Sequence, residues 1–177
     1  MNHIELYKQV HSEDENYGDG GVMLFYTDEI NDCILDTKSR SLLDYGCGKA
    51  NRYVNNPYPV MPALYDPAID EYSTLPDGPF DGVFCCDVLE HIPEEEIPDT
   101  IHKIYSRATK FVFLAISTNL AYKVLPNGEN AHCTIKPVDW WRDTIVRYAP
   151  KKVFTHLILA GQYESHELLF DYFVTQG

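Results

Sequence analysis

Residues 41–51, SLLDYGCGKAN, join an apolar run containing one acid, Asp44, to a sharp turn at Gly46, Cys47 and Gly48. A strand ending in such a turn usually opens onto a helix N-terminus. There, backbone lacking a Cβ can approach a ligand, and free N–H groups with the positive end of the helix dipole favour a carboxylate or phosphate. The pattern is that of a nucleotide or cofactor turn. A dinucleotide fingerprint needs a small residue where Asn51 stands, and a phosphate-cradling loop needs Ser or Thr after Lys49, so both are disfavoured. Asp66, 22 residues after Asp44, closes a second apolar run just before Pro67. An acid at the end of a second parallel strand is placed to accept both hydroxyl hydrogen bonds of a ribose; otherwise it is a solvated turn residue. His91 and His132 are the candidate proton acceptors, against the ordinary alternative that each is a structural histidine.

The elements that must position these residues follow from periodicity. Residues 1–11 form a short helix with Ile4, Tyr7 and Val10 on one side, followed by a polar, Gly-rich loop holding Tyr17 and Gly18. That pair reads equally as a turn beside a packing aromatic and as a flap over a cofactor. A helix over 22–35, with Met23, Tyr26, Ile30, Cys33 and Ile34 at helical spacing, is expected across the sheet edge. Strands are predicted at 41–45, 61–65, 80–88 and 110–117, with a helix from Pro93 to about Ala108. The helix after the glycine turn is cut short by Pro57 and Pro59. Only 13 residues separate Asp66 from Phe80, three of them proline, which leaves no room for a complete further parallel strand and its crossover. The 19 residues 118–136 form either a functional or a mobile loop, and a helix from about Pro137 carries Trp140, Trp141 and Ile145. Two last runs, VFTHLILA and ELLFDYFV, are joined by so short a segment that they must be antiparallel.

Composition narrows the classes. The 177 residues with 45% hydrophobic content suit one domain, an N-terminal helical or lid segment (1–38) on a core (39–177). With 14 basic against 27 acidic residues the net charge is −13, which argues against nucleic acid as partner. Five cysteines without C-x-x-C spacing read as buried free thiols of a cytoplasmic protein. No leader-like segment and no apolar run near ~18 residues points to a membrane.

LLDYGCG at 42–48, YDP at 65–67 and FDGVFCCDVLEHI at 80–92, in that order, resemble a class I S-adenosylmethionine-dependent methyltransferase over about residues 15–175. The resemblance implies an α/β fold: a Rossmann-like, doubly wound, mostly parallel sheet with an antiparallel last strand and a third strand missing or vestigial. The last strand would insert between those at 110–117 and 153–160. It implies S-adenosylmethionine as cofactor, Gly46 and Gly48 against its methionyl part, Asp66 (with Pro67) on its ribose, and Asp87, Val88 and Leu89 along methionine and adenine. Asp44, Tyr45, Tyr17 and Gly18 complete the expected binding set. With the third strand curtailed, the adenine wall must come from elsewhere, Tyr72 or Ser73 being the candidates. The post-strand motif of base-modifying amino-methyltransferases is replaced by Asp87-Val88-Leu89-Glu90, so the implied acceptor is a small molecule or a protein, with His132 and His91 as catalytic candidates. D-x-x-E-H at 87–91 also resembles the divalent-ion cluster of some O-methyltransferases, which His132 could complete; Asp87 is shorter than the Glu of those families, and no metal ligand is assigned. A catalytically silent cofactor-binding or scaffold domain is the non-enzyme alternative, while a nicotinamide-dependent enzyme is disfavoured by Asn51. Neither the acceptor nor the oligomeric state is legible.

Overall fold

The computed structural model describes residues 3–19, 21–149, 153–161 and 170–173. Its centre is a parallel sheet in which the side chains of each strand alternate between two apolar layers, the period-2 signature of strands buried on both faces. In β4 (Ala108–Ser117), Val112, Leu114 and Ile116 enter one layer while Phe111, Phe113 and Ala115 enter the other. The same split divides Val83 and Cys85 from Phe84 in β3 (Phe80–Cys86), and Leu43 and Tyr45 from Leu42 in β1 (Leu42–Tyr45). β2 (Ala63–Tyr65) pairs with β1, β1 with β3, β3 with β4, and β4 with β5 (Phe154–Ala160), all parallel.

Helices cover both faces. α3 (Ile97–Tyr105) buries Ile97, Thr100, Ile101, Ile104 and Tyr105, a single stripe at helical spacing, with Pro98 in its first turn and Lys103 in its last. It packs beside α4 (Val138–Tyr148), which contributes Trp141 and Ile145. On the other face α2 (Thr27–Asp36) lays Ile30, Cys33 and Ile34 against Leu42, Phe84 and Phe113. It therefore covers the sheet face, not its edge. Residues 21–26, expected in the same helix, form a separate 3-10 turn. A third, smaller cluster sits apart from the sheet: α1 (His3–Glu13) places Leu6 and Val10 against Leu125 and Ala131 of the loop 118–136.

Three expectations about the sheet meet different outcomes. Residues 66–79 contain no strand; the Asp66 N–H donates to the Tyr72 carbonyl (3.0 Å) around a 3-10 turn at Asp70–Tyr72, and β2 is left as the edge. The final strand does not insert between its predecessors. β5 pairs with β4 over seven consecutive positions, Phe111 opposite Phe154 through Ser117 opposite Ala160, so that edge of β4 is filled. β6 (Phe170–Phe173) is registered antiparallel on the outer side of β5, giving the order β2-β1-β3-β4-β5-β6; the rest of the run ELLFDYFV lies outside the described residues. The five cysteines are free, with Cys33, Cys47 and Cys85 buried, but Cys133 is exposed. Among the described residues no helix is long and apolar enough to cross a membrane.

Candidate functional site

Parallel strands end on one side of the sheet, and the loops after β1, β2, β3 and β4 converge there on a cleft of about 1090 Å³. Tyr45, Gly46 and Gly48 come to it from β1 and its turn, Asp66 and Pro67 from β2, Asp87 and Val88 from β3. Tyr17 and Gly18 close it from the N-terminal segment, and His91 and His132 lie deeper along its wall. Two expected members stay out. Asp44 is 1% exposed, because alternation along β1 turns it to the α2 side, where Arg52 and the Tyr53 hydroxyl (2.8 Å) bond the same carboxylate oxygen, Oδ2. Leu89 is wholly buried in the α3-side layer. Tyr72 and Ser73 do not border the cleft either: Tyr72 packs against the α2-side layer, and the Ser73 hydroxyl bonds the Asp70 carbonyl.

The glycine turn is built for close approach. Gly46 has φ +92°, and a Cβ there would lie 2.2 Å from Val88 Cγ2; Gly48 has φ +57°, and a Cβ there would lie 2.2 Å from the Gly18 carbonyl oxygen. Both conformations and both contacts require glycine. The turn does not, however, lead into an α-helix with open amides. A 3-10 turn at Asn51–Asn55 follows, and the amides are taken internally: Gly46 and Cys47 donate to the Tyr65 carbonyl, Gly48 to Asp66 Oδ2 (2.9 Å), Lys49 to the Gly18 carbonyl (2.7 Å). The expected anion site at a helix N-terminus is therefore absent. Asp66 also accepts from the Ala68 N–H through Oδ1 (2.9 Å), so backbone donors fix both its oxygens in orientation while each keeps a further lone pair.

In the same cleft, Asp87, His91 and His132 each offer a ligand atom within 4.8 Å of the others'. Asp87 adopts φ +59°, rare for a residue with a Cβ, directly after β3. His132 Nε2 stands 3.9 Å from Asp87 Oδ1, and the two imidazoles meet edge to face at 4.6 Å. The remaining ring nitrogens settle the tautomers. His132 Nδ1 lies 2.5 Å from the Asn119 carbonyl and His91 Nδ1 3.0 Å from the Ala131 carbonyl; a carbonyl only accepts, so both Nδ1 atoms carry the proton and both Nε2 lone pairs are available. Burial pushes the His91 imidazole down to about 4, opposed by Asp87, so it is neutral near pH 7, which suits a ligand but makes it a weak base. Glu90, the fourth member of D-x-x-E-H, is wholly buried, with Oε1 accepting the Ser117 N–H (2.5 Å) and Oε2 without a partner; burial and Asp87 hold its carboxyl well above the usual range.

The N-terminal segment and the loop 118–136 roof the cleft. The Tyr7 hydroxyl donates to the Ala131 carbonyl (2.5 Å), beside His91 Nδ1. Lys123 bonds Asp14 (2.8 Å), and Lys49 Nζ donates to the carbonyls of Asp14 and Glu15. The loop 118–136 is internally braced, with Val124 bridged to Asn130 and the Asn130 amide bonding Ala121 twice. Four residues here carry no mark in the sequence. Tyr7, His11 and Asn119 reach the site only through long-range packing, and Arg52 lies in a turn too short to show periodicity.

His11 yields a testable pH dependence. Its ring lies edge-on to Tyr17 at 5.1 Å, its Nδ1 is buried without a partner, and burial, aided by Lys49 and opposed by Asp66, lowers its pKa. A base whose folded pKa is depressed binds fewer protons folded than unfolded, so its contribution is intact above about pH 6.5 and lost as pH falls below that value. Thermal melts between pH 8 and 5 should show acid destabilisation that is smaller in His11→Gln; parallel pH profiles would exclude this role.

Compared with protein-family models, curated proteins and solved structures, the chain matches none.

Proposed function

We propose that the chain is an S-adenosylmethionine-dependent methyltransferase acting on a small-molecule or protein acceptor, on a Rossmann-like sheet with an antiparallel closing strand. One observation carries the reading: the glycine turn, Asp66 and the Asp87-Val88 segment, distant in sequence, line a single cleft at the carboxyl ends of the parallel strands. The residues fit the cofactor. Gly46 and Gly48 let Val88 and the Gly18 backbone close on the turn that borders the cleft, and Asp66 is held there with a lone pair left on each oxygen for the hydroxyls of a ribose. The adenine wall falls to Pro67, Ala68 and Val88, which border the cleft where Tyr72 and Ser73 do not.

The cofactor supplies an already activated sulfonium methyl group, so the chain's task is orientation, with proton removal needed only for a poor nucleophile. Tyr17 and Gly18 cover the turn, the loop 118–136 walls the acceptor side, and His132 Nε2 is placed to take a proton. Calorimetry should detect S-adenosylmethionine and its demethylated product but not NAD, with Asp66→Ala weakening binding by about 1.5–3 kcal/mol. Unchanged affinity in that variant would remove the ribose role, and no binding to the wild type would leave a scaffold domain.

A second reading, a metal-assisted O-methyltransferase, is favoured by the Asp87, His91 and His132 cluster alone. Two imidazoles and one carboxylate suit Mn²⁺, Fe²⁺ or Zn²⁺ better than Mg²⁺, which prefers an all-oxygen shell. The Nδ1 bonds to backbone carbonyls are the outer-shell contacts that orient metal-binding histidines.

A further inference from the structure

A cofactor with an amino-acid end brings a carboxylate into the cleft, and the turn amides that would ordinarily receive it are spent. Gly46, Cys47, Gly48 and Lys49 all donate within the chain. The neighbouring lysines are engaged as well, Lys49 on two backbone carbonyls and Lys123 on Asp14.

Arg52 is differently placed. It borders the cleft although its side chain is only 5% exposed, its guanidinium stacks over the Tyr53 ring at 5.0 Å, and one terminal nitrogen, Nη2, is committed to Asp44. Its Nε–H is buried without a partner. A guanidinium is a rigid fork of five donors, and its Nε edge accepts a carboxylate as well as its terminal edge does. Asp44 engages Nη2 and the Tyr53 ring holds the guanidinium plane, which leaves Nε–H as a preset donor without a partner.

We propose that Arg52 binds the carboxylate at the amino-acid end of the cofactor. The proposal rests on the methyltransferase reading and deepens it. The ligand class follows from charge: Asp44 already neutralises the guanidinium, and Asp66 and Asp87 border the same cleft in a chain of net charge −13. A phosphate would add uncompensated negative charge there. An amino-acid end brings its own ammonium, so the newcomer is a zwitterion and the acids around it are an advantage.

The test compares two ligands that share the nucleoside and thioether but differ in the carboxylate: S-adenosylhomocysteine and 5′-methylthioadenosine. Both are titrated into the wild type, into Arg52→Gln/Asp44→Asn, which leaves no buried charge unpaired, and into Arg52→Lys, which keeps the ion pair but has no second edge. In both variants affinity for S-adenosylhomocysteine should fall at least tenfold while that for 5′-methylthioadenosine stays within twofold. Equal losses for the two ligands, or none for S-adenosylhomocysteine, overturn the assignment. Wild-type protein that binds neither ligand overturns the methyltransferase reading itself, and Arg52's role with it.

Discussion

If the chain is the methyltransferase proposed above, replacing His132 by alanine should lower methyl transfer about 100-fold or more while leaving affinity for S-adenosylmethionine within twofold. The expectation comes from a division of labour along the cleft. His132 is 8% exposed, tethered through Nδ1 to the Asn119 carbonyl, and presents Nε2 toward Asp87, while the expected cofactor contacts lie on Asp66 and the glycine turn. Transfer is scored with labelled cofactor and a pool of candidate acceptors, binding by calorimetry. A chelator separates the two chemical roles. If His132 is a proton acceptor, EDTA leaves wild-type transfer unchanged. If it is a ligand, EDTA abolishes transfer, Mn²⁺ or Zn²⁺ restores it, and His91→Ala behaves like His132→Ala. Undiminished transfer in His132→Ala would leave orientation as the source of the rate.

Gly48→Ala should be the most damaging single methyl group that can be added at the turn. It must place a Cβ 2.2 Å from the Gly18 carbonyl oxygen, which is backbone and also accepts the Lys49 N–H, so the N-terminal segment has to move away. Cofactor affinity should fall more than tenfold, and proteolysis between residues 13 and 19 should accelerate. Gly128→Ala is the matched control. Gly128 also has positive φ, +88°, but a Cβ there meets nothing within 4 Å, so the cost is the left-handed backbone penalty of about 1–2 kcal/mol without loss of binding. Equal binding losses in the two variants would mean that backbone strain, not contact with Gly18, governs the turn.

What the sequence reveals, and what it hides, follows from the range of the interactions. β4 and α3 are legible because their patterns are local: KFVFLAIS alternates between two apolar layers, and Ile97, Ile101 and Ile104 mark one helical stripe. The glycine turn, Asp66 and Asp87 are legible because strand ends of a parallel sheet share one side. Asp44 is visible as part of a motif, yet its position on β1 turns it away from the cleft into a buried pair with Arg52. The short helix expected after Gly48 is present as the 3-10 turn Asn51–Asn55, ending ahead of Pro57 as the sequence implied; what the sequence hid is that the amides before it are taken by Tyr65, Asp66 and Gly18 and do not stand open. The place of β6 was not legible at all, because a short antiparallel connection does not say which side of β5 the returning strand takes.

The bond from the Tyr7 hydroxyl to the Ala131 carbonyl spans 124 residues. On a ribosome adding roughly 5–20 residues per second, α1 waits roughly 6–25 s before its partner is even made. Throughout that interval Leu6 and Val10 have no Leu125 or Ala131 to cover them. The roof of the cleft thus joins segments made far apart in time, and it can dock only after β1 to β4 have been synthesised, while β5 and β6 are still to come.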